Sequence, residues 1–298
     1  MLIIGLLFEW LWCLSDLVVK PRMLSYDKGF HREAACKKFD LSAYEKARKK
    51  SFTIISDFGY PISCEILEPL QRESRWNSGS FSLAVLCHGF GCAKYHSLKY
   101  AEIFLELGLS VLIYDHRNHG LSGKAYTSMG YYERYDLKKV LDWCYLQYGE
   151  NCRIVTHGES MGAATVLLHL GIDSRVKCAI ADCAYSDLKQ ELRHQLKQYY
   201  HLPCLLIPIE SGLTYLRAGF WYREISPMSV MRDIETPVMF IHGKRDNLVP
   251  ANMSKLMYSL KKDKKAIYLV AGARHGECVC KNRAGYKMRV ENFLKKYL

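Results

Sequence analysis

Ser160, Asp246 and His275 follow one another along this chain as a nucleophile, an orienting acid and a base would, each just beyond a β-forming run. A serine hydroxyl is a poor nucleophile until an imidazole takes its proton, and the imidazole needs a third group to fix its tautomer. Ser160 stands in Gly158-Glu-Ser-Met-Gly162, between the strand-like Ile154-Val-Thr156 and the apolar run Ala163 to Leu168. Such a turn from strand to helix leaves room only for small residues beside the serine, and sets its hydroxyl at the positive end of the helix. Asp246 lies in His242-Gly-Lys-Arg-Asp-Asn-Leu-Val-Pro250, and His275 in Gly272-Ala-Arg-His-Gly276. Each has a plainer reading alone: Asp246 as the N-cap of a following helix, His275 as one of eleven histidines. Their order, and the strand before each, favour chemistry.

Acyl transfer also needs two N–H groups aimed at an oxyanion. The Met161 amide, next to the nucleophile, and the Phe90 amide, in His88-Gly-Phe-Gly91, are the expected donors. His88 is expected to brace that loop rather than titrate. Glu159 is read as serving the turn, with recognition of a substrate amino group as the alternative. A neutral His275 is required as base, so activity should fall as pH drops through roughly 6 to 7.

These residues need a scaffold of strands ending at one edge. Strands are expected over 52–55, 62–67, 83–87, 109–114, 153–156, 176–181, 237–241 and 266–270. Helices are expected over 94–107, 131–148, 161–170, 251–260 and 284–297. The alternation implies an α/β fold, a mostly parallel twisted sheet covered by helices on both faces. Residues 71–80 read as a surface loop. About fifty residues separate Asp182 from Pro237, too many for an ordinary connection, so an inserted cap is expected at about 187–235. Residues 1–50 then form an N-terminal hydrophobic helix plus a charged helical segment, and 51–298 the catalytic domain.

The formal net charge is +12, with short basic runs at 48–50 and 261–265 that read as solvated helix ends. No recognised motif accompanies the charge, so nucleic acid is not an expected partner. The twelve cysteines include no C-x-x-C pair, and many lie in apolar runs, which points to buried free thiols in a reducing compartment. His275, Cys278 and Cys280 make no complete zinc spacing, so neither metal nor cofactor is expected. Residues 1–19 are almost wholly apolar, with a weakly polar stripe through Gly5, Glu9, Trp12, Asp16 and on to Lys20, which suits a helix lying on a membrane, on its own domain or on a second copy in a homodimer. A cytoplasmic site, at the inner face of a membrane if that helix inserts, is the matching location.

The chain resembles an α/β hydrolase from about residue 50 onward. The resemblance lies in the 88–91, 158–162, 242–246 and 273–276 motifs already quoted, with Tyr114-Asp-His-Arg-Asn-His-Gly-Leu-Ser122 and Asp182-Cys-Ala-Tyr-Ser-Asp187. Gly130-Tyr-Tyr-Glu-Arg-Tyr-Asp-Leu137 is similar to bacterial serine aminopeptidase-like and cinnamoyl or feruloyl esterase-like hydrolases, many of which carry an N-terminal hydrophobic helix. Asn118 replaces the glycine usual before His119, and asparagine tolerates the left-handed backbone such a turn needs. The resemblance implies a serine hydrolase, foremost a carboxylesterase acting on a small-molecule acyl or aromatic ester. The alternatives are a thioesterase or peptidase, or a membrane-docked binding protein without turnover.

Overall fold

A computed structural model describes residues 2–70 and 81–298, with the backbone alone given for 2–8. The loop expected over 71–80 lies outside the described residues. Eight strands form one sheet: β1 (Lys49–Ile55), β2 (Pro61–Leu67), β3 (Ser82–Cys87), β4 (Ser110–Tyr114), β5 (Arg153–Glu159), β6 (Cys178–Asp182), β7 (Val238–Gly243) and β8 (Lys265–Val270). Their spatial order is β1-β2-β4-β3-β5-β6-β7-β8. The hairpin β1–β2 and the β2–β4 pair are antiparallel, and every other pair is parallel. Strands β3 to β7 are buried along their length apart from Arg153 at the start of β5, as runs of Val, Ile, Leu and Ala allow.

Helices cover both faces because the parallel strands β3 to β8 are joined by crossovers that must return the chain to the same end of the sheet. In chain order they are α1 (Leu2–Val19), α2 (Tyr26–Ala35), α3 (Leu41–Lys46), α4 (Leu98–Glu106), α5 (Glu133–Tyr148), α6 (Met161–Leu170), α7 (Leu188–Gln195), α8 (Leu206–Ala218), α9 (Pro227–Val230), α10 (Asn252–Leu260), α11 (Cys278–Lys281) and α12 (Arg283–Tyr297). One core joins α4 and α12 to the sheet through Tyr100, Phe104, Tyr286 and Val290. The other joins α5, α6 and α10 through Leu137, Leu141, Val166 and Met257. A third cluster brings Val18 and Val19 of α1 against Leu168 of α6 and Ile207 of α8, with Phe220 and Tyr222.

The basic runs differ from expectation. Lys49 and Lys50 open edge strand β1, though Lys49 Nζ reaches back to the carbonyls of Tyr44 and Glu45 at 2.7 and 3.1 Å. Lys261 is buried, its ammonium donating to the Ile234 carbonyl at 2.7 Å. The helix read over 31–50 is two short helices, α2 and α3, because Lys37 breaks the run with a positive φ of 52°.

Between β6 and β7 the chain runs through α7, a π-turn (Leu196–Tyr200), α8, a 3-10 turn (Tyr222–Glu224) and α9. Helix α1 lies along α8. Arg217 of α8 pairs with Asp16, donates to the Trp12 carbonyl at 3.0 Å and stacks 3.9 Å above the Trp12 ring. Among the described residues no helix is long and apolar enough to cross a membrane.

Candidate active site

The loop from β5 to α6 carries the serine. Ser160 has φ 56° and ψ −118°, a backbone that a non-glycine residue adopts at a cost of about 1–3 kcal/mol. The two glycines of the motif make that turn possible. A Cβ on Gly158 would lie 2.2 Å from the Gly162 carbonyl oxygen, and one on Gly162 would lie 2.2 Å from the Cys87 carbonyl oxygen. The Ser160 N–H donates to the Asp182 carbonyl at 2.8 Å, tying the turn to the end of β6.

The structure brings all three candidate residues together. The Ser160 hydroxyl donates to His275 Nε2 at 2.9 Å, and His275 Nδ1–H donates to Asp246 Oδ2 at 2.7 Å. Asp246 Oδ1 accepts from the Leu248 and Val249 amides at 3.0 and 2.9 Å. Burial alone would raise the Asp246 carboxyl, but bonds from His242, His275 and Val249 hold it well below the usual carboxylate range. Burial opposes the His275 cation, yet the Asp246 bond and charge outweigh it and raise His275 above its usual 6.5. The acid limb expected at an ordinary imidazole value therefore moves upward.

Phe90 follows β3 and faces the same cavity as Ser160, and its N–H has no partner among the described residues. Met161 is the first residue of α6, where an N–H has no intrahelical acceptor. Two histidines hold the Phe90 loop. His88 Nδ1–H donates to the Gly89 carbonyl at 2.8 Å while its Nε2 accepts from the His116 amide at 3.0 Å. His119 Nε2 accepts from the Gly91 amide at 3.1 Å. Burial, with neighbouring imidazoles, keeps His88 well below its usual value, so it stays neutral. Asn118 does adopt φ 59°.

Glu159 joins the pieces of the site. Its carboxylate is buried and accepts from Lys99 Nζ at 2.6 Å and His96 Nε2 at 3.0 Å, with a short bond from the Tyr100 hydroxyl. Lys99 Nζ also donates to the Gly276 carbonyl at 2.9 Å, directly after the candidate base. His96 Nδ1 faces Glu33 of α2 at 3.2 Å. One ammonium therefore links the residue before Ser160 to the residue after His275. Sequence reasoning missed Lys99, His96 and Glu33, which carry no motif. The one available signal was a lysine set among Leu98, Tyr100, Ile103 and Phe104 on an apolar helix.

The cavity above Ser160, of about 430 Å³, is walled by Phe90, His275, Leu17 and Val18 of α1, and Glu191 and Leu192 of α7. Cys183 lies beside the His275–Asp246 pair, within metal-ligating distance of both. Its thiol is buried and burial helps push it well above its usual value, after the Cys278 bond, so it is a poor metal ligand as it stands. A hydroxyl, an imidazole and a carboxylate in one hydrogen-bonded line can carry out acyl transfer.

The strand order and parallel sense, with the serine turn at the strand ends, define an α/β hydrolase. The chain belongs to the prolyl oligopeptidase family, whose model matches residues 96–298. It is 37% identical over 257 residues to the uncharacterized protein YqkD of Bacillus subtilis, covering 85% of this chain and 82% of that one. YfhR of Escherichia coli O157:H7 is 23% identical, covering 72% of this chain and 70% of that protein. Among solved structures, Pyrococcus furiosus esterase Pf2001 superposes with a TM-score of 0.72 at 24% identity, covering 94% of this chain and 98% of that one. The esterase domain of a Rhodothermus marinus protein gives 0.60 at 17% identity, covering 84% and 99%. At these identities the structures share the fold.

Proposed function

We propose that this hydrolase is a carboxylesterase working through an acyl-enzyme. The reading rests on the hydrogen-bonded line from Ser160 through His275 to Asp246. Ser160 Oγ attacks the ester carbonyl as His275 Nε2 takes its proton. Asp246 holds the imidazole in place and stabilises its charge, and the Phe90 and Met161 amides receive the oxyanion. His275 then returns the proton to the leaving alcohol, and water repeats the sequence to release the acid. The segment 187–235 acts as a cap, with α7 forming the far wall of the cavity. A fluorophosphonate probe should label the wild-type protein at Ser160, and Ser160→Ala should lose both labelling and aryl-ester turnover by about 10⁴-fold or more. Turnover near the wild-type rate in that variant would sink the assignment.

One observation favours a second reading, a peptidase for substrates with a free amino group. Glu191 lines the cavity, is buried, and keeps one carboxylate oxygen without a partner. Burial pushes its carboxyl up to about 7. Aminoacyl anilides and aryl acetates compared side by side separate the two readings.

A further inference from the structure

A second cavity, also of about 430 Å³, adjoins the one above Ser160. Five residues line both: Leu17 and Val18 of α1, Phe90, and Leu192 and Gln195 of α7. The passage between them therefore runs past Phe90, whose amide is the proposed oxyanion donor. Beyond it the walls are Leu14, Leu196, Leu206, Ile207 and Tyr222, a lining suited to an unbranched hydrocarbon.

One wall residue does not suit a hydrocarbon. Glu210, on the inner face of α8, is 6% exposed, and neither carboxylate oxygen has a hydrogen-bond partner. A buried acceptor left unpaired is costly, and an apolar residue there would avoid the cost. Arg217, two turns along the same face of α8, partly offsets that cost through its charge but gives Glu210 no hydrogen bond, its guanidinium being engaged by Asp16 and the Trp12 carbonyl. Burial raises the Glu210 carboxyl to about 7, so near neutrality it exchanges between acid and carboxylate and accepts from a neutral donor in either form. Lys20 and Arg22 line the same cavity from exposed positions, which disfavours a cationic ligand and leaves a hydroxyl unaffected.

We propose that the second cavity receives the acyl chain of the substrate and that Glu210 accepts a hydrogen bond from its far end, so that the preferred acid is straight-chained with a terminal hydroxyl. The inference rests on the esterase reading for its connection to Ser160. It makes α1 part of the substrate site, because Leu14, Leu17 and Val18 supply one side of the channel.

The test compares p-nitrophenyl acetate, hexanoate, decanoate and 10-hydroxydecanoate. In the wild-type protein kcat/KM should rise roughly two- to fourfold per buried methylene. The hydroxylated chain should exceed decanoate roughly tenfold. Leu17→Trp, which narrows the passage at a half-exposed position, should lower the decanoate-to-acetate ratio. Glu210→Leu should reverse the preference for the hydroxyl, and thermal melting checks that both variants fold. A wild-type protein that labels with fluorophosphonate and cleaves acetate, but gains nothing from chain length or hydroxyl, overturns the inference and leaves the esterase reading intact. Failure of labelling and of all turnover overturns the esterase reading instead. The cavity is then decided by calorimetry with 1,8-octanediol and 1-octanol. Tighter diol binding in wild type, lost in Glu210→Leu, supports it, and equal or absent binding overturns it.

Discussion

Lys99 and Glu159, paired with each other, both line the cavity above Ser160, and Glu159 acts on the charge of His275. Asp246 raises His275 most, with Glu159 and Asp182 also contributing, while Glu191 lines the same cavity. Because His275 must be neutral to act as base, activity is lost as pH falls through its raised pKa, above the usual 6.5. Removing the Glu159 charge should lower that midpoint. We expect Glu159→Gln to move the acid limb of kcat/KM downward by on the order of half a pH unit, with roughly a tenfold loss of kcat. Lys99→Met should lose kcat without that downward shift, since the carboxylate remains. A limb that stays in place in Glu159→Gln would mean that the residue only fills space. Ser160, Asp246 and His275 were legible in the sequence because each follows a strand and the fold fixes their order. Lys99, His96 and Glu33 were not, since a buried charge is recognisable only once its partner from another element is known. Glu33 and Glu159 lie far apart in the chain and meet through one imidazole.

All eight strands were legible as elements: β3 to β7 because buried parallel strands are runs of β-branched and leucine residues bounded by glycine or polar turns, and β1, β2 and β8 because β-forming residues recur between turns even where burial is partial. The ends were less so: β5 runs to Glu159, past the expected 156, because its last residues are shaped by the serine turn rather than by β propensity. The docking of α1 was not legible. Its stripe of polar residues suited several surfaces equally, and the partner that decides, Arg217, lies 201 residues away in α8, between β6 and β7. That guanidinium is buried at the contact, with 2% of the side chain exposed. Its removal takes from α1 the ion pair with Asp16, the bond to the Trp12 carbonyl and the contact with the Trp12 ring, while Asp16, a third exposed, keeps Lys20 at 3.3 Å. Arg217→Ala should therefore free α1 and expose the connection that follows it, so limited trypsin digestion should cut after Arg22 several-fold faster. An unchanged digestion rate would mean that the apolar contacts of Val18 and Val19 suffice.

Across the whole molecule the cysteines record how tightly the core closes. All twelve are free: four are exposed (Cys13, Cys36, Cys204 and Cys280), Cys92 is half-buried and seven are buried. Burial pushes the Cys152 and Cys178 thiols up to about 12, which leaves almost no thiolate near neutrality. A disulfide reagent should accordingly modify four thiols quickly and reach all twelve only in denaturant. Cys92 lines the cavity above Ser160, so its slower reaction should be further suppressed after fluorophosphonate labelling. Rapid reaction of ten or more thiols in the native protein would contradict the burial described for β2, β3, α5 and β6, which hold Cys64, Cys87, Cys144 and Cys178.

The clasp between α1 and α8 also bears on how the protein is made. Asp16 and Arg217 are 201 residues apart. At roughly 5–20 residues per second a ribosome needs about ten to forty seconds to cover that distance. Throughout that interval Val18 and Val19, buried in the finished fold beside Ile207, are without the cover that α8 supplies. Moving α1 to the carboxyl end would remove the wait.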